Sequence, residues 1–448
     1  MRTLEFDRYA FAFCIAVATL AGCGASGPPS LPASHTQAID KIQHVVIIVQ
    51  ENRSFNDLFY GFPGAYTASY GRDREGRKIP LQPIGLQTKW DLDHSSYSFF
   101  QACNGTGSYP GTDCRMNGFT REYVGCNHSS YPPCPIKHPQ YAYVPHAETK
   151  PYFDMAHQYV LADRMFASNF DASSFISHQY IIAGQASSAV NYPDNDWGCE
   201  GGKKDLIGTV SQQRTLYAGH IRTCFDNTTL GDELDTAGLP WAFYAASYGS
   251  GYLNIWSAYQ AIGHIFYGPD WNKDILSNLQ FFDDVKKGRL RAVSWITPSC
   301  ANSDHAGCGS DTGPSWVTSL VNAIGRSQYW DSTAIFIMWD DYGGWYDPAP
   351  PQMVDYDGLG IRIPLLVISP YSKKDYVSHI DYEHGSILKF VEDRFRLSRL
   401  AASDARANSL DDCFDFDRAP RPFVPIKAPR NENYFRYQPL DDRIPDSE

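Results

Sequence analysis

Three stretches of this chain carry side chains able to do chemistry together. Gln50-Glu51-Asn52-Arg53-Ser54-Phe55 follows directly on an apolar run, and a carboxylate beside a carboxamide offers hard oxygen donors to a metal ion. Taken alone, the stretch reads first as a helix N-terminus capped by Asn52 or Ser54. Trp339-Asp340-Asp341-Tyr342-Gly343-Gly344-Trp345-Tyr346-Asp347 follows another apolar run. Its adjacent carboxylates repel each other unless a cation or a proton sits between them, and the glycine pair permits a sharp turn. Alone, it reads as a solvated acidic turn. Asp171-Ala172-Ser173-Ser174-Phe175-Ile176-Ser177-His178 brings hydroxyls, and a bound cation favours the loss of the proton that such a nucleophile must give up. Singly it is a serine-rich loop, and His94 in Asp91-Leu92-Asp93-His94 and His305 in Ser303-Asp304-His305 are ordinary loop histidines.

The elements that must position these residues are strands. The runs His44 to Val49, Ala292 to Ile296, Ala334 to Met338 and Pro364 to Ile368 are apolar apart from His44 and Ser294 and do not alternate, as strands buried on both faces are. Ser315 to Ile324 follows a proline and reads as a helix, and Ile387, Leu388, Val391 and Phe395 fall on one helical stripe. Strands alternating with helices predict an α/β three-layer sandwich, a mainly parallel central sheet with helices on both faces. Ligands bind beyond the carboxyl ends of such strands, where the acidic stretches stand. Residues 81 to 143, dense in Tyr, Gly, Cys and Pro, read as an insertion over the site, and residues 401 to 448 as an extended tail on a domain spanning 41 to 400.

The 448 residues are enough for one large α/β unit or two domains. With 43% apolar and 20% charged residues, global disorder is excluded. The net charge of −12, from 38 basic and 50 acidic side chains, argues against a grip on nucleic acid. Arg2 and Arg8 precede an apolar run from Tyr9 to Gly22, which is short for a membrane span and right for an export signal. It ends Leu20-Ala21-Gly22-Cys23, a sequence resembling the bacterial lipoprotein box, with an ordinary signal peptide cut near Ala25 as the alternative. Residues 1 to 23 are thus an export segment, and residues 24 to 40, rich in Gly, Pro, Ser and Ala, a flexible tether. Of eleven cysteines, Cys14 and Cys23 belong to the export segment. The other nine predict disulfides and one free thiol, with Cys126–Cys134 and Cys300–Cys308 among the sequence-near pairs.

The chemical stretches occur in a recognisable order. HVVIIVQENRSF, DLDHS, LADRMFASNF, SDH, WDDYGGWYDPAPPQ and GIRIPLLVISPYSKKDYVSHIDYEHGSILKFVEDRF together resemble the bacterial phospholipase C and acid phosphatase family of phosphoesterases, related in fold to alkaline phosphatase and the sulfatases. The resemblance covers most of residues 41 to 397. It implies Glu51, Asn52, Asp340 and Asp341 as metal ligands and Ser174 as the nucleophile, with Ser173 the rival by one position. It also implies His94 and His305 as groups that hold phosphate oxygens or protonate the leaving alcohol, and leaves Glu383-His384 without a settled role. One divalent ion is expected, calcium or magnesium first and zinc or iron as alternatives, in a two-step transfer through a phosphoserine, with an acid-to-neutral optimum.

The chain also departs from the family pattern. Pro348 stands where many relatives have His, Ser177-His178 replaces a frequent Asn-Arg pair, Ser174 stands for Thr, and the long β-rich C-terminal modules of the larger phospholipases are missing. The expected substrate is a phosphate ester, a phospholipid among the candidates, reached from a membrane held by the N-terminal lipid anchor. A phosphomonoesterase is the alternative, and a surface lipoprotein that only binds is the reading from another class.

Overall fold

Thr333–Trp339 is buried along its whole length, and its place at the middle of a sheet explains why no residue in it is charged. The computed structural model describes residues 39–193, 197–246, 256–441 and 443; Cys23 and nearly all of the tether lie outside the described residues. The large sheet has nine strands. They are β1 (His44–Gln50), β2 (Val160–Phe166), β3 (Trp241–Ala245), β4 (Ile275–Ser277), β5 (Val293–Ile296), β6 (Thr333–Trp339), β7 (Arg362–Ile368), β8 (Tyr376–Ser378) and β9 (Tyr382–Glu383). Their order is β4-β3-β5-β1-β6-β7-β2-β8, with β9 beside β2. All pairings are parallel except those of β7 with β6 and β2, so the expected mainly parallel sheet is present and β7 is its one reversed strand.

Five helices matter for the site: α1 (Phe55–Phe59), α2 (His146–Gln158), α3 (Ser174–Ala183), α4 (Gly313–Gly325) and α5 (His384–Phe395). Side chains three apart on a strand point to opposite faces. On β6, Phe336 meets Phe390 of α5 and Trp339 meets Tyr152 of α2, with ring centroids 5.0 and 5.1 Å apart. Hence α5 covers one face and α2 the other, α3 packing with α5 and α4 with α2. Each fully buried aromatic of this kind is worth roughly 1.5–3 kcal/mol.

Residues 81–143 form no large sheet. They hold the helix Ser96–Cys103, short turns and the disulfides Cys103–Cys114 and Cys126–Cys134. Cys199–Cys224 and Cys300–Cys308 complete the pairs among the described residues, leaving Cys413 as a buried thiol that burial pushes up to about 12. The segment after Leu400 is less extended than its composition predicts. Asp404 accepts from the amides of Leu400 and Ala401 at 2.7 and 2.8 Å, starting the short helix Ala402–Arg406, and another spans Glu432–Tyr437. Between them the chain lies against α4, where Asn322 donates to the carbonyl of Ile426 at 2.9 Å. No helix among the described residues is long and apolar enough to cross a membrane.

Candidate active site

Gln50 and Trp339 are register partners on the parallel strands β1 and β6, and the amide of Asp340 donates to the carbonyl of Gln50 at 3.0 Å. Glu51-Asn52 and Asp340-Asp341 therefore leave the sheet side by side at its carboxyl edge. Asn52 adopts a left-handed backbone, φ 56°, a conformation asparagine tolerates better than most residues. Its amide N–H donates to Asp340 Oδ1 at 3.2 Å. Gly343, φ 60°, closes on this turn so tightly that a Cβ there would lie 2.2 Å from the Asn52 carbonyl oxygen. Ser54, the residue expected as an alternative cap, does cap α1 and accepts from the Asp57 amide at 3.2 Å; the cap and the acidic turn occupy successive residues.

Ser174 comes from the edge of β2, as the first residue of α3, where unpaired amides and the helix dipole favour negative charge. Its hydroxyl donates to Glu51 Oε2 at 3.3 Å. The hydroxyl of Ser173 points elsewhere, to Asp171 Oδ1 at 3.1 Å and the Asn191 carbonyl at 3.0 Å. His94 reaches in from the 81–143 insertion with Nδ1 2.7 Å from the Leu92 carbonyl. His305 follows β5, its ring 6.1 Å from that of His94 and stacked at 5.8 Å on Trp256. All seven expected residues, Glu51, Asn52, His94, Ser174, His305, Asp340 and Asp341, thus converge, each at most 2% exposed.

The carboxamide of Asn52 sits at the centre. One of its ends lies 2.9 Å from Glu51 Oε2 and 3.2 Å from Asp340 Oδ1, and the other 2.9 Å from His94 Nε2 and 3.2 Å from His305 Nε2. With nitrogen toward the carboxylates, the amide satisfies both and its oxygen faces the imidazoles. With oxygen toward them, three oxygens crowd one point, an arrangement that a cation or a proton between them stabilises. Asp340 Oδ2 is buried with no hydrogen-bond partner. Asp341, whose Oδ1 accepts from the Gly343 amide at 2.7 Å, is held well above the usual carboxylate range, by burial first and then by Asp340 beside it. This donor set fits a divalent ion.

Two further histidines enter. His178, one helical turn after Ser174, places Nε2 2.9 Å from Glu51 Oε1 and 3.8 Å from Asp340 Oδ2. His384, the first residue of α5, has Nδ1 3.5 Å from the Ser168 amide, and its buried Nε2 has no hydrogen-bond partner. Burial lowers both to about 4, so both rings are neutral at physiological pH. His178 is not among the residues expected at the site. The signal was in the sequence: Ser174 and His178 are spaced i, i+4, which puts them on one helix face.

Beside the cluster lies a cavity of about 410 Å³, lined among others by Asp93, Tyr97, Asn191, Tyr192 and Tyr217. Asp93 adjoins His94 in sequence and the Asn191 carbonyl accepts from Ser173 Oγ, so neighbours of the site line the cavity, although none of the seven site residues does. Farther out, buried Asp347 accepts from Arg362 Nε at 3.0 and 3.1 Å and from the Asn56 and Ala349 amides at 3.0 and 2.9 Å, fixing the loop that carries Asp340 and Asp341.

The profile of the Phosphoesterase family matches residues 42–398. Among curated proteins, a non-hemolytic phospholipase C of Burkholderia pseudomallei is 25% identical over 82% of this chain and 57% of its own length. Phospholipase C B of Mycobacterium tuberculosis is 25% identical over 86% of this chain and 80% of its own length. Non-specific phospholipase C1 of Arabidopsis thaliana is 25% identical over 87% and 74%. The chain thus spans little more than half of the Burkholderia relative. Among solved structures, an alkaline phosphatase superfamily protein of Vibrio parahaemolyticus aligns over 83% of this chain and 72% of its own, with 10% identity and a TM-score of 0.38.

Proposed function

Because the chain belongs to the Phosphoesterase family, we propose that it is an exported, metal-dependent phosphoesterase of phospholipase C type that works through a phosphoserine at Ser174. The observation that carries this reading is the Ser174 hydroxyl at a helix N-terminus, 3.3 Å from Glu51 Oε2, within a buried acidic cluster fit for a cation.

Glu51, Asn52, Asp340 and Asp341 would hold one divalent ion. When bound, it neutralises phosphate charge that repels a nucleophile and favours the ionised serine hydroxyl. Ser174 Oγ attacks phosphorus as the ester oxygen departs on the opposite side, giving phosphoserine and a free alcohol. A water then gives a proton to the imidazole left neutral by the first step and attacks the same phosphorus, Oγ leaves as the ionised serine, and phosphate or a phosphomonoester is released. Enclosure of the hydroxyl among fixed dipoles places it for in-line attack, and the α3 N-terminus stabilises charge that develops on phosphate oxygens. His94 and His305, tied through Nδ1 to backbone carbonyls, present Nε2 to the centre. There, in the doubly protonated form, they donate from Nε2 to phosphate oxygens and deliver the proton that the leaving alkoxide needs, worth typically 10²–10⁴-fold.

The cavity beside His94 supports a diester, whose second substituent needs room. A second reading, an acid phosphatase acting on monoesters, is favoured by the near-complete enclosure of the reacting groups. Side-by-side turnover of p-nitrophenyl phosphate and p-nitrophenyl phosphorylcholine decides between them: the phospholipase C reading predicts preference for the diester. Hydrolysis of neither, with any divalent ion, would leave a surface protein that only binds. For location, we propose residues 41–400 as the catalytic unit, tethered to a membrane through a lipid on Cys23.

A further inference from the structure

We propose that His178 Nε2 is a direct ligand of the ion, so that the site takes a nitrogen-accepting transition ion, of the zinc or iron class, in preference to calcium or magnesium. This rests on the metal-dependent reading above and deepens it by naming the class of metal.

Glu51 and Asp340 each present two oxygens, and the two ends face different neighbours. Glu51 Oε2 and Asp340 Oδ1 turn toward Ser174 and Asn52. Glu51 Oε1 and Asp340 Oδ2 turn toward His178, 2.9 and 3.8 Å from its Nε2, and Glu51, Asp340 and His178 can each offer one donor atom such that all three lie within 4.8 Å of one another. Donors about 2.0–2.2 Å from a shared ion stand no more than about 4.4 Å apart, so this set closes on a cation with shifts of a few tenths of an ångström. Asp340 Oδ2 is the second, independent sign: it is buried and has no hydrogen-bond partner. A purely structural His178 would need only its Glu51 contact and would leave that oxygen unexplained.

The chemistry then selects the ion. Calcium and magnesium take oxygen ligands, and imidazole suits zinc, iron, copper and nickel.

The test is pulsed electron paramagnetic resonance on full-length, manganese-loaded protein. The wild type should show ¹⁴N coupling from a directly bound imidazole, lost in His178→Gln and retained in His94→Gln. Equilibrium dialysis should show at least tenfold weaker zinc binding in His178→Gln and less than threefold change for magnesium. Bound manganese with no ¹⁴N coupling in the wild type would overturn the assignment, whether or not the variant folds, and leave the metal-dependent reading intact. Coupling unchanged in His178→Gln would transfer the nitrogen to another residue and also overturn it. No uptake of any divalent ion by the wild type would instead remove the reading on which the inference rests.

Discussion

Ser174 and His178, one turn apart on α3, grip opposite ends of a single carboxylate: Ser174 Oγ lies 3.3 Å from Glu51 Oε2 and His178 Nε2 2.9 Å from Glu51 Oε1. One side chain thereby couples the nucleophile to the imidazole. Glu51→Gln should lower metal affinity and kcat/KM together, each by at least ~100-fold, since the ligand charge and the serine's acceptor are lost at once. Metal content by mass spectrometry and kinetics on the same sample check this; loss of activity with metal content and metal affinity unchanged would contradict it.

The two adjacent serines should behave differently. Ser174→Ala should reduce turnover by ~10⁴-fold or more, as removal of a nucleophile does, with metal content kept. Ser173→Ala, which loses only contacts to Asp171 and Asn191, should stay within ~10-fold of wild type. Paired kcat measurements with circular dichroism as the folding control settle the assignment, and the reverse ranking would move the nucleophile by one residue.

Metal binding should release a proton. Without a cation, burial and Asp340 hold the Asp341 carboxyl well above its ordinary value, so the folded chain keeps a proton that the unfolded chain has lost. This contribution to stability falls as pH rises from the ordinary carboxylate value through the raised one. His178 and His384, lowered to about 4, are already neutral over most of that range and do not compete. The rise in Tm on adding a divalent ion should therefore be larger at pH 8 than at pH 5; an equal rise at both would contradict the protonated pair.

Gly343→Ala tests the turn that clamps Asn52. A methyl there would sit 2.2 Å from the Asn52 carbonyl oxygen, whereas at Gly64, also at positive φ, it would meet nothing nearer than 3.6 Å. Both substitutions carry about 1–2 kcal/mol of left-handed strain. Only Gly343→Ala should also lose metal, and retention of full metal content would show that the turn is not what sets Asn52.

Breaking the buried Arg362–Asp347 pair by Arg362→Met should cost about 3–5 kcal/mol in denaturant melts, because an unpaired carboxylate is left inside. A change below about 1 kcal/mol would mean that Asp347 is held by its amide donors alone.

The legible parts of this protein were those where chemistry and burial coincide in a short run. The four apolar runs became β1, β5, β6 and β7 because strands buried on both faces read as near-continuous apolar runs. The strand that delivers Ser174, β2, was missed because Asp163 and Arg164 interrupt it. Asp163 is satisfied only by distant partners, the Tyr66 amide at 2.7 Å and His379 at 2.9 Å. In β3, Trp241 and Tyr244 blur the pattern. Glu51, Asn52, Asp340 and Asp341 stood out because they follow strands at once; His178 did not, since its meaning depends on a carboxylate 127 positions away.

The central claim is a covalent bond between Ser174 and phosphorus. Acid quenching of a single turnover with a ³²P-labelled phosphate ester, followed by peptide mapping, tests it most directly. Label on the peptide that contains Ser174, absent in Ser174→Ala, is the predicted result. Full turnover with no labelled protein at any quench time, or label that persists in Ser174→Ala, would contradict it.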